Sequence, residues 1–147
     1  MTTIAYKDGV IAYDSRLSQD FYIASDEYDK HREVNGVHYF LSGYAGFSSA
    51  FIESHQEGKP PPANVEMSAF IVDQGRVYLA GIDSEKGLLW TLEATRPAAT
   101  GSGMDHAITA MDCGLSAKDA VRMAIKRDAG SGGRVRTFKV KPIGKPR

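Results

Sequence analysis

The sequence holds a single cysteine, Cys113, so no disulfide can form within the chain. A lone thiol suits a reducing compartment. No apolar run approaches the roughly 20 residues that a helix needs to cross a bilayer. The opening MTTIAYKDG has neither the basic nor the apolar region of a secretory signal. These absences lead us to expect a cytoplasmic protein with no membrane partner, in which position 2 can serve as the mature first residue. An excess of one charge is also lacking, because 18 Lys and Arg balance 18 Asp and Glu. A balanced chain offers no global field for nucleic acid or anionic lipid. The basic end, KVKPIGKPR, reads as a solvated tail.

Other chemistries are missing as well. His31, His38, His55 and His106 have no metal-ligand spacing with Cys113. No Gly-rich phosphate loop followed by Lys-Ser or Lys-Thr occurs. Aromatic and basic residues do not interleave as a nucleic-acid platform requires. No cofactor, no metal and no nucleic-acid partner are therefore expected.

What is present is an ordinary globular composition: 147 residues, 42% hydrophobic and 24% charged, enough for one domain spanning 1–147 with a real core. TTIAY and VIAY flank Lys7-Asp8-Gly9, a hairpin signal, and Asn35-Gly36 supplies a second one between strands over 29–34 and 37–42. After GYAG, apolar Phe47, Ala50, Phe51 and Ile52 suit one short helix over 47–57, which Gly58 and Lys59-Pro60-Pro61-Pro62 bring to an end. Strands follow over 67–73 and 76–82 around Gln74-Gly75, then over 88–93. Helical spacing takes over across 104–113 and 117–127, with Gly114 between the two helices. Ser116 and Asp119 form a start resembling a capping box. Met104, Met111 and Met123 sit at helical positions and read as core filler. A strand over 134–140 closes the chain. This order suggests an α+β fold with two sheets and helices on their outer faces, although periodicity alone does not separate that arrangement from other α+β packings.

Four stretches, spread from one end of the chain to the other, carry a family resemblance: Thr2-Thr3-Ile4 opening a strand, VIAYDSR with Asp14, Lys30 followed by HYFLSGYAG with Gly43, and the later AGID, ATGSG and KRDAGSGGRVRTFKV. The chain resembles the β subunits of the proteasome and the peptidase subunit (HslV) of the related bacterial ATP-dependent protease. RDAGSGG, containing Asp128 and Ser131, is the most specific single block. Asp14 and Lys30 lie sixteen positions apart, as in that family, and Lys30 and Gly43 thirteen apart. The first hairpin is shorter than the family's by an even number of residues, so strand alternation preserves the facing pairs. With Asp8-Gly9 as the turn, Thr2 faces Ser15 and Thr3 faces Asp14. Between GYAG and the middle strands the family usually has two helices; here one short helix precedes PPPANVEM.

The resemblance implies a four-layer αββα sandwich, the N-terminal nucleophile hydrolase fold, with one outer helix missing. It implies a threonine-type endopeptidase acting on unfolded polypeptide. Thr2 becomes the nucleophile once Met1 is removed, Lys30 sits beside it as a cation, and Asp14 holds Lys30. Gly43 offers its N–H to the oxyanion, and Ser102, Asp128 and Ser131 surround the terminal amine. The family further implies a homo-oligomeric ring and an ATP-dependent unfoldase partner. Each motif also has a plainer reading: Asp14 as a turn residue, Lys30 as a solvated strand residue, GSG as a loop into a helix, and RDAGSGG as a helix end. A non-catalytic subunit of the same fold and a small-molecule amidase remain alternatives.

Overall fold

The computed structural model describes residues 2–142. Both the expected loss of Met1 and the far end of the basic tail, 143–147, fall outside them. The elements run β1 (Ile4–Lys7), β2 (Val10–Tyr13), β3 (Leu17–Gln19), β4 (Tyr22–Ser25), β5 (His31–Val34), β6 (Val37–Gly43), a 3-10 turn (Ala45–Phe47) and α1 (Ser48–Glu57). There follow β7 (Met67–Asp73), β8 (Arg76–Asp83), β9 (Leu88–Glu93), β10 (Ala98–Thr100), α2 (Met104–Asp112), α3 (Ala117–Ile125) and β11 (Arg136–Lys139). One sheet has the order β10-β1-β2-β11, a second β5-β6-β7-β8-β9, and β3 pairs only with β4. The result is a compact α+β fold.

Asp8-Gly9 and Asn35-Gly36, read as hairpin turns, adopt positive φ at both residues, and Gln74-Gly75 between β7 and β8 does the same. That geometry matches the right-handed twist of the flanking strands. The first hairpin pairs Ile4 with Tyr13 and Ala5 with Ala12, the register expected from Asp8-Gly9.

Strand alternation divides the core into three apolar clusters. On β1 and β2, Ala5 and Ala12 face Ala107, Ala110, Ala117 and Ala120 of α2 and α3. These small side chains let the helices approach the sheet closely. Ile4, Ile11 and Tyr13 point the other way and pack with Phe40, Phe70, Val72 and Val77 of the five-stranded sheet. The alternate residues of that sheet, including Tyr39, Leu41, Ala69 and Ile71, cluster with Phe51 and Ile52 of α1. Each sheet therefore carries an apolar layer on both faces.

Several details differ from the sequence reading. The β3–β4 hairpin and β10 appear as additional strands. Of the three methionines expected in the core, only Met111 is buried, while Met104 and Met123 are 37% and 41% exposed. Phe47, expected on the buried side of the first helix, is instead half-exposed beside Tyr44. Ser116 caps α3 by accepting the Asp119 N–H, but the Asp119 carboxylate turns to Arg122 rather than completing the reciprocal bond. Between β6 and β7 the described residues contain the 3-10 turn and α1 alone, in line with the single helix expected there.

Candidate active site

The site begins where β1 begins. Backbone bonds extend the first hairpin beyond its strands, with the Asp14 N–H donating to the Thr3 carbonyl at 3.2 Å. This places Asp14 beside the start of the chain, fully buried. One carboxylate oxygen accepts the Thr3 N–H at 3.1 Å and the Lys30 ammonium at 2.7 Å. The other accepts the Gly132 N–H at 2.9 Å and the Arg16 N–H at 3.3 Å. A buried carboxylate needs this degree of compensation.

Lys30 lies just ahead of β5, and its carbonyl takes the Leu41 N–H, which fixes its backbone to β6. Among the described residues its ammonium binds both Asp14 and the Thr2 hydroxyl, the latter at 2.8 Å. Burial pulls the Lys30 pKa below the ordinary lysine range, and the Asp14 carboxylate opposes that shift without cancelling it.

A second group of side chains gathers on the other side of Thr2. The Thr2 backbone nitrogen donates to Ser102 Oγ at 3.1 Å. Ser102 and Ser131 each donate a hydroxyl to the same oxygen of Asp128, both at 2.6 Å. Burial alone would raise the Asp128 pKa; these two hydroxyls and the Gly130 N–H outweigh it and hold the carboxyl below its ordinary value.

Gly101 and Gly103 bring this loop against the chain start. A Cβ on Gly101, which has φ +98°, would stand 2.0 Å from the Thr2 carbonyl oxygen, and one on Gly103 would stand 1.9 Å from Thr3 Oγ1. Only glycine permits that approach. The Gly103 N–H donates to the Thr2 carbonyl at 3.2 Å.

All seven residues singled out in the sequence thus meet here. Thr2, Asp14 and Lys30 form one bonded chain, and Ser102, Asp128 and Ser131 form another that reaches the Thr2 nitrogen. Gly43 makes no bond to them, but it lines the same cavity of about 640 Å³ as Thr2 and Lys30. Its φ is +128°, and a Cβ there would come within 2.7 Å of the Glu66 carbonyl oxygen. No group of three or more potential metal ligands converges among the described residues.

Thr3 is a site residue to which the sequence motifs give no role. It is fully buried, and its hydroxyl lies 2.7 Å from Ser131 Oγ while its N–H binds Asp14. One residue therefore ties the Lys30 side of the site to the Asp128 side. The signal was available: a hydroxyl residue on the Ala5 face of β1 points toward the helices, where a polar side chain needs a partner.

The sequence matches no family model and no curated protein. Among solved structures, the chain is similar to BPH of Thiobacillus denitrificans in complex with epoxomicin. The TM-score is 0.69 and the identity 19%, covering 96% of this chain and 99% of that one. A further structure of Thiobacillus denitrificans BPH gives a TM-score of 0.66 at 19% identity, over 96% of this chain and 98% of that one. At this identity the likeness is one of fold.

Proposed function

We propose that the chain is a proteasome-like N-terminal nucleophile hydrolase, a four-layer αββα sandwich that cleaves peptide bonds with Thr2 after removal of Met1. The observation that carries this reading is the short chain of contacts from Asp14 through the Lys30 ammonium to the Thr2 hydroxyl, both at hydrogen-bond distance. The epoxomicin complex of the structural neighbour supports a protease-type site on this fold.

A threonine hydroxyl is a weak nucleophile at neutral pH and needs a base within reach. A terminal α-amine, with a reference pKa of about 7.7–8.0, is that base. The neutral amine of Thr2 takes the hydroxyl proton as Oγ1 attacks the substrate carbonyl. Lys30 stabilises the developing negative charge on Oγ1, and the Gly43 N–H takes the oxyanion. The proton then passes to the departing amine nitrogen, leaving an ester on Thr2. Water, deprotonated by the same amine, hydrolyses that ester and restores the hydroxyl. Ser102, Asp128 and Ser131 orient the amine.

An unfolded polypeptide substrate, a homo-oligomeric ring, an ATP-dependent unfoldase partner and a cytoplasmic setting belong to the same proposal. Phe21, Tyr22 and Ile23 at the β3–β4 hairpin, together with Leu88 and Leu92 on β9, are all more than half exposed and supply apolar surface for contact between copies.

Three measurements test the catalytic reading. The intact mass of the purified protein should lack Met1. Epoxomicin should leave an adduct on Thr2. Thr2→Ala should lower kcat/KM on peptide reporters on the order of 1,000-fold or more while the fold melts normally. Full activity in Thr2→Ala overturns the mechanism, and a retained Met1 favours the non-catalytic reading.

A further inference from the structure

The cavity beside Thr2 has an uneven charge inventory. Of the lining cations, Lys30 is held by Asp14. Arg16 is clamped by both oxygens of Asp26, at 2.8 and 3.1 Å, and gives a further N–H to the Ala129 carbonyl. Arg32 differs. It lines the same cavity and is exposed, and its one side-chain hydrogen bond among the described residues goes to the neutral hydroxyl of Tyr28, at 3.1 Å. No carboxylate pairs with it among the described residues. Asp20, the acid among the cavity's lining residues, sits exposed at the turn of the β3–β4 hairpin.

Strand geometry directs Arg32 to the site. Tyr28, Lys30 and Arg32 all line the cavity, whereas Asp29 and His31 do not, as alternation along an extended chain requires. Arg32 therefore stands on the face that bears Lys30, about 7 Å further along the strand, roughly the distance between side chains two apart. The bond to Tyr28 fixes one edge of the guanidinium and leaves its other N–H groups for a planar acceptor. A carboxylate is the group that matches that fork.

We propose that Arg32 selects an acidic side chain, so that the substrates of this cavity are peptides with Glu or Asp at the residue it receives. The proposal builds on the catalytic reading above, but the cavity's preference can be measured without catalysis. Dye-labelled hexapeptides that differ only in a central Glu, Leu or Lys are titrated by fluorescence anisotropy against Thr2→Ala, with and without Arg32→Gln or Arg32→Glu. The same series, carrying reporters, is assayed for cleavage by the wild-type protein.

The expected result is about tenfold tighter binding of the Glu peptide than of the Leu peptide, the size of one charge-assisted contact. That preference vanishes in Arg32→Gln, turns toward Lys in Arg32→Glu, and weakens as salt is raised. Equal binding of all three peptides, or a Glu preference that survives Arg32→Gln, overturns the inference. Selective binding with no cleavage by the wild type sustains the inference and removes the peptidase reading. Cleavage without acidic preference does the reverse.

Discussion

The two walls of the cavity are built in opposite ways. On the Thr2 side, Thr2, Thr3, Asp14, Ser15, Lys30 and Ser131 are all buried, yet no buried side-chain polar atom among the described residues lacks a partner. On the hairpin side, β3 and β4 pair only with each other through a register shift between Leu17 and Ser18, and Phe21 at their turn is fully exposed. One wall is over-determined by bonds, the other held by a two-stranded ladder. The contrast fits the proposed function, in which reacting groups need fixed geometry and a surface that meets varied substrates does not.

Substitutions on the two walls should therefore differ sharply. The largest effect is expected for Lys30→Ala. It strands the Asp14 carboxylate in the core, so chemical denaturation should show a loss of about 3–5 kcal/mol along with loss of hydrolysis. Next comes Thr3→Val, which keeps the shape of the side chain and removes the hydroxyl facing Ser131. A stability loss of about 1–2 kcal/mol is expected, with roughly tenfold lower kcat, and Thr3→Ser should recover most of both. A Thr3→Val protein with wild-type kcat would reduce Thr3 to a packing residue.

A smaller effect depends on pH. The Asp128 carboxyl has a folded-state pKa below its ordinary value of 3.8, so its ionised form favours the folded state. That contribution is fully present above the ordinary value and is lost as pH falls through the lower folded-state value. Thermal melts of wild type and Asp128→Asn should accordingly converge in strong acid and separate at neutral pH. A gap that widened toward acid would contradict the sign. The smallest effect belongs to the far wall: Phe21→Ser should change the stability of the isolated chain by no more than about 0.5 kcal/mol. Light scattering of the same variant reports whether the exposed tip joins copies together.

Legibility in the sequence follows a similar divide. The hairpins at Asp8-Gly9, Asn35-Gly36 and Gln74-Gly75 are readable because each turn needs positive φ and carries glycine at its second position. The β3–β4 hairpin is not, since its turn at Asp20-Phe21 lacks glycine and its strands show no buried alternation. β10 was too short to read, three residues between Pro97 and Gly101. Helix spacing placed the methionines on α2 and α3 but could not say how wide the buried stripe would be, and Met104 and Met123 fall outside it. Around the site, the motifs pointed to the residues but not to the bonds between them. Nothing in the spacing assigns Ser131 to both Thr3 and Asp128, because that depends on how the loop after α3 returns to β1.

The fixed pairing of β1 has a consequence for anyone altering the front of this chain. Even positions at the start, Thr2 and Ile4, look one way, and odd positions, Thr3 and Ala5, look toward the helices. Inserting or deleting a single residue ahead of Ile4 would exchange those directions and turn the leading side chain away from Lys30. A change of two would restore the aim while shifting it along the strand. For this strand the parity of an edit matters more than its length.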